Sequence, residues 1–149
     1  MPEALIAIEA RLSGGLLALN RLIMTFLNKR MPVAGFTVGR DAGGLRVTIL
    51  LDCPPGTARR YAALLSSLED VRGVELAGEV VEVALLEKGV DGWREAASRA
   101  GISAREVAGA TVVAAGDPEK MEAWLAAIGD DVEDIVRLGP VARPGDGGE

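Results

Sequence analysis

From residue 4 to residue 76 the spacing of apolar side chains switches between the two-residue period of a strand and the 3.6-residue period of a helix. The switches run in the order strand, helix, strand, strand, helix, strand. Residues 4 to 10, ALIAIEA, place Ala4, Ile6, Ile8 and Ala10 on one face, with Leu5 and Ala7 opposite, as a buried strand does. Leu16, Leu19, Leu22, Ile23, Phe26 and Leu27 then recur at helical spacing, and Pro32 ends that helix near Arg30 by biasing Met31 away from helical backbone. The stretches 33-VAGFTVGR-40 and 45-LRVTILLD-52 flank the turn Asp41-Ala42-Gly43-Gly44 and predict a β-hairpin. After Pro54-Pro55-Gly56, the run 57-TARRYAALLSSLEDV-71 aligns Tyr61, Leu64, Leu65 and Leu68 along one helical stripe. A short strand at Val74 and Leu76 closes the unit.

This order is the split-βαβ, or ferredoxin-like, pattern, with both helices on one face of an antiparallel sheet. The other sheet face also carries apolar residues, and pairing with a second copy of the chain is the economical way to bury them. A homodimer is therefore expected. The remainder repeats the theme: strand 80-VVEVALLE-87, a helix around 91-DGWREAASRA-100 and strand 110-ATVVAA-115. Asp117 is placed to cap the next helix, with Pro118 in its first turn and Met121, Trp124, Leu125 and Ile128 as its buried stripe. A last strand runs from Asp134 to Val141. The fold class is α+β, with two ferredoxin-like units: residues 1–77, then a smaller, trimmed unit over 78–143. The polar, glycine-rich tail 144–149 has nothing to bury and is expected to be disordered.

Charge and residue usage exclude several functions. A net charge of −6, from 16 Lys and Arg against 22 Asp and Glu, is the wrong sign for binding nucleic acid through its phosphates. No window reaches the roughly 18 to 20 apolar residues that cross a bilayer, and the N-terminus lacks the pattern of a secretory signal. A cytoplasmic protein with no membrane partner is expected. Histidine is absent and Cys53 is the one cysteine, so the usual zinc and haem ligand sets are missing, as is the imidazole of nucleophilic triads. No metal, no cofactor and no catalytic residue is expected. Cys53, ahead of Pro54-Pro55, reads as a buried thiol. Glu69-Asp70, Asp130-Asp131 and Glu133-Asp134 read as solvated loop ends, because acid-base work needs carboxyls converging in a cleft. Gly14-Gly15 belongs to no GxGxxG and precedes no Lys-Ser/Thr, so it reads as a turn rather than a phosphate loop. An acylphosphatase-like enzyme would need a donor-rich loop after the first strand, where this chain is apolar beyond Arg11. Trp124 reads as core, and Trp93, beside Gly92, as core ahead of a contact residue.

Certain residues fall in a recognisable order. They are Leu19, Arg21, Phe26, Thr37-Val38, Arg46-Val47-Thr48-Ile49 and Asp70-Val71 in the first unit. In the second they are Val83 to Lys88, 119-EKMEAWL-125 and Arg137-Leu138-Gly139-Pro140-Val141-Ala142. From about Leu5 to Gly145 the chain resembles the small regulatory subunit of acetolactate synthase. The resemblance implies an N-terminal ACT domain, a second ferredoxin-like domain, and a homodimer formed through the ACT domains. It implies as partner a separate catalytic subunit, which uses thiamine diphosphate, FAD and magnesium. The small subunit is no enzyme itself; it raises that activity and confers feedback inhibition by valine or related amino acids.

The family's effector site lies between two ACT domains, and the resemblance maps it onto Ser13, Gly14, Gly15, Leu16, Leu17, Pro32 and Val33. Ungapped alignment from Leu19 and Arg21 puts Gly14 at the family's asparagine, Leu17 at its glycine, and Pro32-Val33 at its Asn-Ile pair. A zwitterion needs donors for its carboxylate and acceptors for its ammonium, and a buried unpaired charge costs several kcal/mol. Gly14 has no amide side chain, Pro32 has no N–H, and Leu17 fills space that glycine leaves open. Valine sensing is therefore expected to be altered or lost. The alternative is a stand-alone ACT-type sensor of another small, more apolar metabolite that controls another enzyme.

Overall fold

Alternation sends Ile8, Ala10 and Leu12 to one face of β1 (Ile6–Leu12), where all three are fully buried, and this strand is the spine of the first unit. The computed structural model describes residues 5–87, 92–107, 109, 111–128 and 135–143. The chain divides into two units, Met1–Glu79 with Ala142–Glu149, and Val80–Val141.

In the first unit, β1 is followed by α1 (Gly15–Asn28), β2 (Val33–Asp41), β3 (Gly44–Leu51), α2 (Pro55–Ser66) and β4 (Val71–Leu76). The sheet order is β2-β3-β1-β4 and the described pairings are antiparallel. Ile8 lies opposite Ile49 on one side and Leu76 on the other. Val47, Ile49 and Leu51 join Ile8, Ala10 and Leu12 beneath Ala18, Leu22 and Phe26 of α1 and Ala58 and Leu65 of α2. α2 packs along β4 and β1. The α2 stripe is built on Ala58, Ala62 and Leu65, with Tyr61 and Leu68 packed at its margin. Small residues there let the helix lie close to the sheet.

One sequence expectation needs correction. Leu16 and Leu27, which share the helical spacing of the apolar face of α1, are 80% and 66% exposed. The apolar arc of α1 is wider than one sheet can cover, so burial centres on Leu22 and Phe26 and leaves the flank in solvent. The helix-free sheet face carries apolar residues, Ala7 opposite Leu50, together with polar ones. With Val47, Ile49 and Leu51 committed to the core, the same alternation turns Arg46 and Thr48 to the sheet face away from the helices, opposite Arg11 and Glu9, where Thr48 and Glu9 are themselves buried. There the Glu9 carboxylate meets Arg11 Nε at 3.3 Å and Arg46 Nε at 3.2 Å, and Arg11 reaches Glu75.

α1 ends with an arginine in left-handed backbone: Arg30 has φ 49°, and the next N–H, of Met31, donates to Phe26 O at 2.9 Å. Glycine is the residue suited to this closing position, because a Cβ there costs about 1 to 2 kcal/mol. Arg30→Gly is expected to raise stability by about 0.5 to 1 kcal/mol after the entropy cost of glycine. A urea midpoint unchanged or lowered in the variant would contradict this.

The second unit repeats the order with β5 (Val80–Glu87), α3 (Trp93–Ala100), β6 (Ser103–Val107), β7 (Thr111–Gly116), α4 (Pro118–Ile128) and β8 (Ile135–Ala142). Its sheet order, β6-β7-β5-β8, is the counterpart of the first. The strand β6 is the element that the sequence reading did not name: five residues, Ser-Ala-Arg-Glu-Val, carry too little alternation to announce a strand. The trimming is in length rather than in parts. β6 and β7 have 5 and 6 residues, against 9 and 8 in β2 and β3. Asp117 caps α4 as expected, its carboxylate accepting from Glu119 N–H at 2.8 Å. Trp124 is fully buried and donates from Nε1 to Trp93 O at 3.1 Å, so Trp93 is core too. The tail 144–149 and the pairs Asp130-Asp131 and Glu133-Asp134 lie outside the described residues.

Candidate effector site

Gly14 (φ 94°) and Gly15 (φ 61°) both take left-handed backbone, and that succession reverses the chain from β1 into α1. Ser13 N–H donates to Asp70 O at 2.9 Å, and the Ser13 hydroxyl donates to the same oxygen at 3.4 Å. Arg21, two turns into α1, binds the Asp70 carboxylate. That carboxylate lies 3.4 Å from where a Cβ on Gly14 would stand. Asp70 is thus no solvated loop end: with 23% of its side chain exposed, it fastens the turn to the start of β4. Arg21 and Asp70, 49 residues apart in sequence, had no visible relation until the topology set the end of β1 beside the start of β4.

The β2–β3 hairpin turn packs at the same end of the sheet. Asp41 accepts from Gly43 N–H at 2.9 Å and pairs with Arg72 at 3.4 Å. The Gly43 N–H, with Arg72 and Arg46 beside it, holds the Asp41 carboxyl below its ordinary value. Gly44 (φ 149°) passes so close to Leu12 that a Cβ would overlap Leu12 O.

The other two candidate residues lie elsewhere. Val33 pairs with Leu51, which pairs in turn with Ile6 at the start of β1. Pro32 O accepts from Asp52 N–H at 2.9 Å at that same end. The seven candidate positions therefore form two groups at opposite ends of one sheet. A strand the length of β1, 7 residues at about 3.3 Å each, separates them by about 20 Å. One chain does not bring them together.

The turn offers donors and few acceptors. No side chain caps α1 and its first turn has no acidic residue, which suits an anion at the backbone N–H groups. Gly14 and Pro32 bring no side-chain acceptor for an ammonium, and Asp70 is already taken by Arg21. Leu16 and Leu17, 80% and 60% exposed, make the rim apolar. Cys53 is buried and free; burial, and then the Asp52 carboxylate, push its thiol up, away from nucleophilic character.

Among the described residues no three of the Cys, Asp and Glu side chains gather as a metal site, and no helix is long and apolar enough to cross a membrane. The chain matches no protein-family model and no curated protein. It does superpose on a solved structure, the crystal structure of the acetolactate synthase small subunit from Thermotoga maritima. The TM-score is 0.73 at 17% identity, and the match covers 95% of this chain and 97% of that one. The likeness is one of fold: two successive βαββαβ units with four-stranded antiparallel sheets, ACT-like and ferredoxin-like, along nearly the full length of both chains.

Proposed function

We propose that the chain is a non-catalytic regulatory subunit which, as a homodimer, binds and activates an acetolactate synthase catalytic subunit in branched-chain amino acid biosynthesis. The observation that carries the reading is the shared two-unit architecture over 95% of the chain, together with motif residues such as Arg21 and Asp70 that meet in space. On this reading the protein works in the cytoplasm, holds no cofactor of its own, and has an amino-acid site with altered or lost valine sensing. Gly14, Leu17 and Pro32 are the residues responsible for that change.

The dimer of this reading joins two first units through β2 and α1. β2 is an edge strand of 9 residues, and an unpaired edge of that length is a template for another strand. Beside it Leu16, Leu17, Met24 and Leu27 of α1 are exposed, as are Phe36 and Val38 of β2. Phe26 and Phe36 meet edge to face at 5.8 Å, which ties the helix to this edge. At roughly 100 Å² for each such side chain, the patch offers about 600 Å² per chain, near the ~800 Å² each partner gives to a stable interface. The same pairing completes the effector site from both chains. Leu16→Glu with Leu27→Glu is expected to raise the dimer dissociation constant at least about 30-fold. Sedimentation equilibrium that finds a monomer in the unmodified chain at micromolar concentration, or an unchanged dimer in the variant, would remove this interface.

The function itself is tested by the rate of acetolactate formation by the cognate catalytic subunit, with and without this chain, each with and without millimolar valine. Activation without valine inhibition is the expected result. Activation with full inhibition would refute the reading of Gly14, Leu17 and Pro32. No activation would favour the stand-alone sensor of an apolar metabolite, which the exposed leucines of the turn also suit.

A further inference from the structure

The second unit contains a cleft of about 490 Å³ between α3 and α4, a volume typical of small-molecule sites. Ala96 and Ala100 from α3 and Ala127 and Ile128 from α4 give it a small apolar floor. The space exists because α3 and α4 face each other there through alanines, while the large side chains of both helices, Trp93, Met121 and Trp124, turn into the core. Glu95 and Arg99, one turn apart on α3, line the same cleft and sit 3.5 Å from each other. They are the charged groups among its lining residues, and they are of opposite sign.

We infer that this cleft is a ligand site of the second unit that takes a small aliphatic zwitterion, such as an apolar α-amino acid. Its ammonium meets Glu95, its carboxylate meets Arg99, and its side chain lies among Ala96, Ala100, Ala127 and Ile128. A zwitterion carries both charges on one carbon, which suits two groups already adjacent. The Glu95–Arg99 pair is 81% and 79% exposed, so its own attraction is weak and exchanging it for two ligand contacts costs little. A plain anion or a plain cation would satisfy one group and repel the other. The site is distinct from the turn at α1 and does not rest on the regulatory reading.

Both tryptophans of the chain, Trp93 and Trp124, belong to the second unit, and Arg94, next to Glu95, stacks over the Trp93 ring at 4.9 Å. Tryptophan emission of the full-length chain is therefore a local reporter. Titration with L-leucine is expected to give a saturable emission change, with amide shifts in ¹⁵N spectra confined to residues 92–100 and 127–128. Isovalerate and isopentylamine, each lacking one charge, are expected to bind at least about tenfold more weakly. Glu95→Gln with Arg99→Gln, at exposed positions where loss of the pair costs under about 1 kcal/mol, is expected to abolish the response, and so is Ala127→Leu, which fills the cleft. No saturable response up to about 20 mM leucine overturns the proposal, since that bound is weaker than any useful affinity. So does an equal response to all three probes, a response that survives the double charge variant, or shifts confined to residues 13–17 and 32–33.

Discussion

Replacing Gly44 by alanine is expected to destabilise the first unit by at least about 3 kcal/mol, as overlaps that only backbone movement can relieve commonly do. Two effects combine. The φ of 149° is one that a residue with a Cβ rarely adopts, and the Cβ itself would overlap Leu12 O. Leu12 ends the central strand and Ser13 begins the turn into α1, so the obstacle is backbone on both sides, with Ser13 Cα 3.5 Å away. No rotamer change relieves it. Either the hairpin turn lifts off or β1 shifts, and a shift of β1 disturbs its pairing with β3 and β4. Two other glycines provide the scale. Gly15→Ala meets nothing within 4 Å but keeps a φ of 61°, so it is expected to cost about 1 kcal/mol. Gly56→Ala, in the first turn of α2 with open space around it, is expected to gain about 0.5 to 1 kcal/mol. Urea unfolding followed by far-ultraviolet circular dichroism reads all three. A Gly44→Ala variant no less stable than Gly15→Ala would show that the hairpin does not press on Leu12.

The sequence disclosed those parts of this fold that rest on local periodicity. The first unit's six elements follow from apolar spacing and from Pro32, Pro54 and Pro55, and the cap at Asp117 follows from its place before Pro118 and Glu119. What escaped are features set by long-range neighbours. Leu16 and Leu27 obey helical spacing as well as Leu22 does, yet only the width of the sheet beneath decides which are covered. Asp70 reads as one of two acids at a helix end until Arg21 and Ser13 are brought to it from the other side of the unit. The strand β6 carries its apolar signal in Ala104 and Val107 alone, and is held by pairing with β7. The candidate effector residues show the same division. Gly14-Gly15 was legible as a turn, and the backbone confirms two left-handed residues. That Pro32-Val33 lies about 20 Å away, at the far end of the sheet, follows only from the register. Periodicity along the chain carries no information about which strand ends a fold sets side by side, so this separation stays hidden until the pairing is known.

Arg137 is the charged position in the second unit where loss of one side chain is expected to do most damage. It lies on β8, and its guanidinium grips Glu82 of β5 through two bonds, Nε at 3.2 Å and Nη2 at 2.9 Å, with Nη1 on Glu122 at 2.9 Å. The two carboxylates are unequal partners. Glu82 has 9% of its side chain exposed and Glu122 has 71%, so the first depends on Arg137 for its charge balance while the second is largely hydrated. Together the two carboxylates raise the Arg137 pKa, the bond to Glu82 most of all. Arg137→Met is expected to cost about 3 kcal/mol, the lower end for stranding a buried charge, because 38% of the arginine side chain is exposed and some water can enter. Glu122→Gln is expected to cost under about 1 kcal/mol, as surface pairs do. Arg137→Lys should fall between, since an ammonium cannot reproduce the two-point grip. The deciding variant is Glu82→Met with Arg137→Met: an apolar pair of similar size should recover most of the loss, because the penalty lies in the unpaired carboxylate rather than in a missing attraction. Tryptophan emission during urea unfolding follows the second unit alone. A double variant as unstable as Arg137→Met would mean that the arginine acts through packing instead. Recovery would identify this motif residue as a structural clamp on β5, needed to keep the sheet intact and not part of any ligand site.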